Sequence, residues 1–369
     1  MRRRTFLTRS GEAAASFAIA RAVPGAFGLA ATSQRRTDLA ALTVELEQQV
    51  PKWLDAAQVP GLSIAIISDA KIAWRRGFGV KDRTSAVTVG VDTMFEAASM
   101  SKPVFAYVVL KLCDKGLLDL DTPLTQYGSE RFLAGDRRLD LITARHVLSH
   151  TAGFQNWRSD AEPLSIHFTP GEKHMYSGEG YNYLQTVVTH LLGDPFETYM
   201  PKNLFAPFRM TSSGYVWNQT FAARMARPHD ENGRPLENQK STPTDVARYG
   251  SAGALLTSAS DYATFMIEVI APKPRDAFRL GKERTSEMLR PQVKLNDELS
   301  SSWALGWRII PSAGREFFLH GGDNKGFHCV ALASLAGRSG YVAMTNGENG
   351  QTVLNRLNVA PLMQRFLLS

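Results

Sequence analysis

The stretch EAASMSKPVFAYVVLKLC, residues 96–113, reads as the mouth and first turns of a buried helix. Phe105, Val108, Val109 and Leu112 recur at helical spacing on one face. Pro103 is tolerated because it falls in or near the first turn, where its missing N–H had no partner to lose. Ser99 and Lys102 stand three apart, so a helix places them one turn apart on the same face. The bare N–H groups and dipole of a helix start add positive potential there. A partly buried ammonium in that field tends to lose its proton. A neutral amine beside a hydroxyl can accept the hydroxyl proton and turn the oxygen into a nucleophile. Spacing alone does not single out this pair, because Ser68-Asp69-Ala70-Lys71 repeats it in a predicted hairpin turn. Taken by itself, the pair reads more plainly as an N-cap serine with a snorkelling lysine.

Outward from this stretch, strands gather toward the chain ends and helices fill the middle. Residues 37–50 carry leucine and valine at helical spacing and stop at Pro51. LSIAII (62–67), a turn, and IAWRRGFGV (72–80) read as a hairpin. From about Asp119 to Pro243, helical stretches such as ITARHVLSH (142–150) and GYNYLQTVVTHLLG (180–193) alternate with Pro/Gly-rich loops. SAGALLTSASDYATFMIEVI (251–270) reads as a loop and helix. WALGWRII (303–310), REFFLHG (315–321), GFHCVALASL (326–335) and GYVAMTN (340–346) read as consecutive strands with tight turns, hence antiparallel. A last helix covers about 350–367. The expectation is an α+β fold: an antiparallel sheet flanked by N- and C-terminal helices, with a mostly helical inserted domain. Residues 37–118 and 244–369 form the sheet domain, 119–243 the insert, and the cleft between them is the expected small-molecule site.

The 369 residues are 44% hydrophobic and 21% charged, ordinary values for a globular chain. Residues 1–31 hold five arginines and one glutamate; removing them takes four from the formal net charge of +7 and leaves +3. With no later Lys/Arg block, that balance implies no nucleic-acid partner. The start, MRRRTFLTRSGEAAASFAIARAVPGAFGLAAT, resembles a twin-arginine export signal, with Gly28 and Ala30 at −3 and −1 of a cleavage site. A periplasmic or secreted location follows. No later run reaches the roughly 18 apolar residues of a stable membrane span. Cys113 and Cys329 lie far apart in apolar stretches, so buried thiols are the default and a single disulfide stays open.

Two further segments carry chemistry. HMYSGEGYNYL (174–184) sets Tyr176 in a loop just before a helix. FFLHGGDNKGF (317–327) ends a strand at His320 and follows it with Gly321 and Gly322, which permit close backbone approach. His146 and His150 have i, i+4 spacing, but no H-E-x-x-H pattern or third ligand accompanies them, so a structural role at the turn is expected. His167 and His174 read as solvated, and His229 as part of a surface turn. No metal and no cofactor are expected. YGSAG (249–253) does not fit G-x-S-x-G, and Gly77-Phe78-Gly79 lacks the third glycine and helix of a dinucleotide loop.

Ser99-x-x-Lys102, Tyr176-Ser177-Gly178 and His320-Gly321-Gly322, in that order, resemble the serine beta-lactamase-related superfamily, which includes class C beta-lactamases, DD-carboxypeptidases and esterases. VPGLSIAI (59–66), VLSHTAGF (147–154), FTPGEKHMYS (168–177) and GALLTSASDYATFM (253–266) are similar too, so the likeness runs from about residue 37 onward. The resemblance implies Ser99 as the acylated nucleophile, Lys102 as its base and Tyr176 as the proton shuttle. It implies an oxyanion hole from the backbone N–H groups of Ser99 and Asp323, and substrate contacts at Gly178, His320, Gly321 and Gly322. Gly178 stands where Y-x-N has asparagine, Gly321 where K-T-G has threonine, and His320 where it has lysine. Weak recognition of penicillins and D-Ala-D-Ala ends is therefore expected, with a small-molecule ester, amide or peptide as substrate. Beside the serine hydrolase stand two alternatives: a DD-carboxypeptidase or beta-lactamase, and a non-catalytic penicillin-binding-like protein.

Overall fold

The structure, a computed structural model, describes residues 29–369. All but residues 29–31 of the expected targeting segment lies outside the described residues. Eight strands form one antiparallel sheet in the order β2-β1-β10-β9-β8-β7-β6-β5. They are β1 (Gly61–Ser68), β2 (Lys71–Gly79), β5 (Val293–Lys294), β6 (Ser302–Trp303), β7 (Arg308–Ser312), β8 (Arg315–Asn324), β9 (Phe327–Ser334) and β10 (Ser339–Thr345). Two short strands, β3 (Met94–Glu96) and β4 (Leu256–Ser258), pair separately. The class is α+β, as the sequence implied.

Period-two alternation sorts the sheet into two faces. Leu62, Ile64 and Ile66 of β1, Phe317 and Leu319 of β8, Val330 and Leu332 of β9, and Tyr341 and Ala343 of β10 share one apolar layer with the terminal helices. Those helices are α1 (Leu29–Ala56), contributing Leu42, Leu46, Val50 and Leu54, and the Gly350–Val359 and Pro361–Leu368 pair. A buried Asp38 pairs with Arg365 at 2.9 Å and ties the first helix to the last. Ala65, Ile67, Phe318, Ala331, Ala333, Val342 and Met344 face the opposite core, which takes in the helices between β2 and β5.

Several expected boundaries shift. The first helix runs through Pro51 to Ala56, because burying Leu46, Val50 and Leu54 outweighs the one backbone bond a proline forfeits. The 303–310 strand is split by a turn closed by Ala304 N–H donating to Trp307 O at 2.7 Å. β8 does not end at His320; it continues through both glycines to Asn324. The last helix is two, broken at Pro361. α2 (Ser101–Asp114) is buried on every side up to Leu112 rather than along one face, as a central core helix must be.

Candidate active site

Ser99 sits in a single 3₁₀ turn, Ala98–Met100, between β3 and α2. Ala98 is held in the left-handed region at φ +47°, a conformation that costs roughly 1–3 kcal/mol outside glycine and persists only where neighbours enforce it. The enforcing group is Ser101: its hydroxyl donates to Ala98 O at 2.6 Å and accepts from Leu255 N–H at 3.0 Å. Tyr262 Oη donates to Met100 O at 2.9 Å and fixes the far side of the turn. Ser99 itself is only half-buried.

Lys102 is wholly buried, at 0% exposure. Its Nζ lies 3.1 Å from Ser99 Oγ and donates to Ala252 O at 2.6 Å. The rings of Tyr176 and Tyr181 lie 4.9 and 5.6 Å from Nζ. Burial pulls this amine from 10.5 down to about 7. At neutral pH a large fraction of Lys102 is therefore the free amine, its lone pair within hydrogen-bond distance of the serine hydroxyl.

Tyr176 precedes Ser177, the N-cap of α4 (Gly178–Leu192), whose hydroxyl accepts from Gly180 N–H at 2.9 Å. The Tyr176 ring stacks on His150 with centroids 4.2 Å apart and meets Trp303 edge-on at 5.6 Å. His150 is not on a helix beside His146. The helix α3 (Ala144–Leu148) ends first, and His150 takes φ +57° and turns into the core at 1% exposure. Its Nδ1 accepts from Ser177 N–H at 3.0 Å, so the imidazole is neutral with its proton on Nε2. Burial first, then His174, Lys102 and His320, holds it well below its usual range. His174 is likewise not solvated: it packs on Trp303 at 5.4 Å, and burial lowers it to about 4.

The third wall is β8. Its pairing with β7 stops at Leu319, so residues 320–324 bond β9 on one side and leave the other edge to the Ala97–Met100 turn. Gly322 is what allows this approach: a Cβ there would sit 2.2 Å from Ala97 O and 2.5 Å from Cys329 Sγ. Cys329 Sγ donates to the same Ala97 O at 3.2 Å. Asn324 Nδ2 donates to the buried Glu96 Oε2 at 2.7 Å, a second tie between β8 and β3, and burial pushes Glu96 up to about 7. Gly321 is exposed, and a Cβ there would touch only Cys329 O at 3.6 Å.

The structure thus brings Ser99, Lys102, Tyr176 and the His320–Asp323 edge to one place. Two expected substrate contacts take other positions. His320 is 3% exposed, rests beside Trp303 and Tyr176, and is lowered to about 3 by burial and then Lys102, so it is a neutral wall rather than an anchoring cation. Gly178 is buried, because the Trp157 indole covers it; a Cβ would fall 2.4 Å from Cη2. His150, Trp157, Trp303 and Glu96 were not found as site residues from sequence. His229, expected in a surface turn, is fully buried and bonds Asn346 O through Nδ1 at 3.0 Å. Both cysteines are free thiols. Among the described residues no group of three His, Cys, Asp or Glu could hold a metal ion, and no helix is long and apolar enough to cross a membrane.

A Beta-lactamase family model matches residues 44–361. Among curated proteins, Esterase EstB of Burkholderia gladioli is 28% identical over 231 residues, covering 54% of this chain and 58% of EstB. Protein flp of Staphylococcus aureus (strain N315) is 21% identical over 330 residues, covering 83% of this chain and 64% of its own. The chain therefore spans less than two thirds of either relative. A beta-lactamase/D-alanine carboxypeptidase structure from Pseudomonas syringae superposes with a TM-score of 0.73 at 19% identity, covering 86% of this chain and 98% of that one. With its alternating sheet, its central helix and a half-buried serine set against a buried lysine, this chain belongs to the Beta-lactamase family and is a serine hydrolase.

Proposed function

We propose that the protein hydrolyses uncharged carboxylic esters through an acyl-enzyme on Ser99. The observation that carries this reading is the wholly buried Lys102 with Nζ 3.1 Å from Ser99 Oγ. As Ser99 Oγ attacks the carbonyl carbon, neutral Lys102 takes its proton, and the carbonyl π electrons move onto oxygen. The backbone N–H groups of Ser99 and Asp323 receive that oxyanion; losing one such donor costs about 2.7–4 kcal/mol of barrier. The tetrahedral adduct collapses, the C–O bond to the alcohol breaks, and Tyr176 relays the proton to the leaving oxygen. Water then attacks the acyl-Ser99 ester by the same route in reverse, regenerating the hydroxyl.

Esters are favoured over penicillins and D-Ala-D-Ala peptides by the recognition side. Gly178 and Gly321 offer no side-chain hydrogen bond, and a buried His320 held at about 3 is no cation for a carboxylate. A pure binding protein has no use for a buried lysine stripped of its proton, since taking that amine out of water lowers stability and its bonds to Ser99 Oγ and Ala252 O offset only part of the loss. The test is a panel of p-nitrophenyl butyrate, nitrocefin and a D-Ala-D-Ala peptide, run with mass spectrometry after a fluorophosphonate. The expected result is ester turnover well above nitrocefin and a single adduct on Ser99, both absent in Ser99→Ala. Nitrocefin turnover matching the ester overturns the substrate reading, and no adduct overturns the mechanism. We further propose export through the RRRTFL start, which is checked by the processed N-terminus of periplasmic protein.

A further inference from the structure

We infer that Trp157, with Tyr249, forms the wall on which the acyl group lies, and that Trp157 is the specificity-determining residue for apolar acyl chains. The inference rests on the ester reading above and adds the kind of acyl group.

The first observation is how firmly Trp157 is presented. Gly178 N–H donates to both Asn156 O at 3.1 Å and Asn156 Oδ1 at 2.9 Å, and Glu179 N–H donates to Asn156 O at 3.0 Å. On the other side of Trp157, Arg158 N–H donates to Glu179 Oε1 at 3.0 Å and its guanidinium to Oε2 at 2.7 Å. The loop is thus clamped at residues 156 and 158 to the first turn of α4, two residues after Tyr176. The indole lies so close over Gly178 that any side chain there would collide with Cη2, Cζ3 and Cζ2 at 2.4–2.7 Å. The second observation is where the wall leads. Trp157 meets Tyr249 edge-on, with centroids 6.0 Å apart at 79°. Tyr249 lies on the Pro243–Gly253 helix, one turn before Ala252, whose carbonyl holds Lys102. The two rings therefore bridge the element that carries Tyr176 and the element that anchors Lys102. Both rings are only half-buried, unlike the fully buried Tyr181 and Tyr262 of the core, so they leave apolar surface open between the segment that carries Tyr176 and the helix that anchors Lys102. The neighbouring cation, Arg158, is committed to Glu179, which leaves the wall uncharged on that side. Arg248 lies over the Tyr249 ring, 5.0 Å from its centroid, so the apolar part of the wall is chiefly the Trp157 indole, a surface that suits an aryl or medium alkyl acyl chain.

The experiment compares p-nitrophenyl acetate, hexanoate and phenylacetate on wild type, Trp157→Ala, Trp157→Phe and Tyr249→Ala, with thermal melts of each. Trp157→Ala is expected to lower kcat/KM for hexanoate and phenylacetate by at least about tenfold, chiefly through KM, and for acetate by less than about threefold. Trp157→Phe keeps most of the selectivity, and Tyr249→Ala shows the same pattern at smaller size. A loss equal across the three acyl groups, or none, overturns the inference. Should wild type cleave no ester, the ester reading fails by itself. The wall is then read from the rates at which octyl and methyl fluorophosphonates label Ser99: an octyl preference that falls in Trp157→Ala supports it, and an unchanged ratio overturns it. A wild type that is neither active nor labelled overturns both.

Discussion

Lys102 is fixed by buried contacts, whereas Gly178 and Gly321 lie among aromatic rings and bare backbone. The lysine is held by Ala252 O and two tyrosine rings, its turn is locked by Ser101 and Tyr262, and Tyr176 rests on His150. Elsewhere in the site, Gly178 sits under Trp157, Gly321 is open, and His320 is neutral. Under the function proposed above, the difference teaches that one set of demands governs a reacting pair and another governs a substrate's shape. Proton transfer needs a short distance and a matched pKa, so its groups are immobilised.

The largest effects are expected on the reacting side. Ser99→Ala and Lys102→Met each lower kcat for the ester by at least about 10³-fold. Lys102→Met should also stabilise the fold. Because Lys102 titrates near 7 in place and at 10.5 when free, the unfolded chain binds the extra proton between those values. The stability from this site is therefore full above 10.5 and falls as pH drops to about 7. The gain in Lys102→Met is largest at pH 7 and below, at roughly 1–3 kcal/mol once the stranded Ala252 carbonyl is set against it. Denaturant midpoints at pH 7 and 10 check both the sign and the trend.

Next in size is the pair of glycines. Gly322→Ala drives a methyl into Ala97 O and pushes β8 off the Ser99 turn, so kcat falls by about 10²-fold. Gly321→Ala fills open space and changes kcat by less than about threefold. Equal losses at the two positions would break the contrast between the two sides. Smaller still is His150: His150→Phe keeps a ring under Tyr176 but strands Ser177 N–H, and kcat drops by roughly tenfold. His150→Asn, which can supply an acceptor, should recover part of it.

Much of the reacting side was legible in the residues. The Ser99–Lys102 step is not diagnostic alone, since Ser68 and Lys71 repeat it; it became legible only with the Tyr176 and His320-Gly321-Gly322 segments in order, each a short local pattern that survives in sequence. The sheet faces were legible for the same reason, through period two. What stayed hidden depends on contacts between distant segments. Trp157 covers Gly178 only because Asn156 and Arg158 clamp a loop from another part of the chain. His150 reads as a helical neighbour of His146 until its positive φ takes it out of that helix. β3 and β4, three residues each, are too short to show an alternation, yet their pairing sets the start of the Ser99 turn. The burial of His229 follows from its bonds to Asn346 O and Arg83 N–H, which no local spacing announces.

The most direct test of a lysine deprotonated by burial is the rate at which a fluorophosphonate labels Ser99 between pH 5 and 9. Glu96→Gln is run in parallel, because burial also holds Glu96 at about 7. The rate should climb about tenfold per pH unit below about 7 and level off above it, with the same limb in Glu96→Gln. His320 near 3 and His174 near 4 add no limb in that range. A flat profile, or a limb that vanishes with Glu96→Gln, would contradict the role assigned to Lys102.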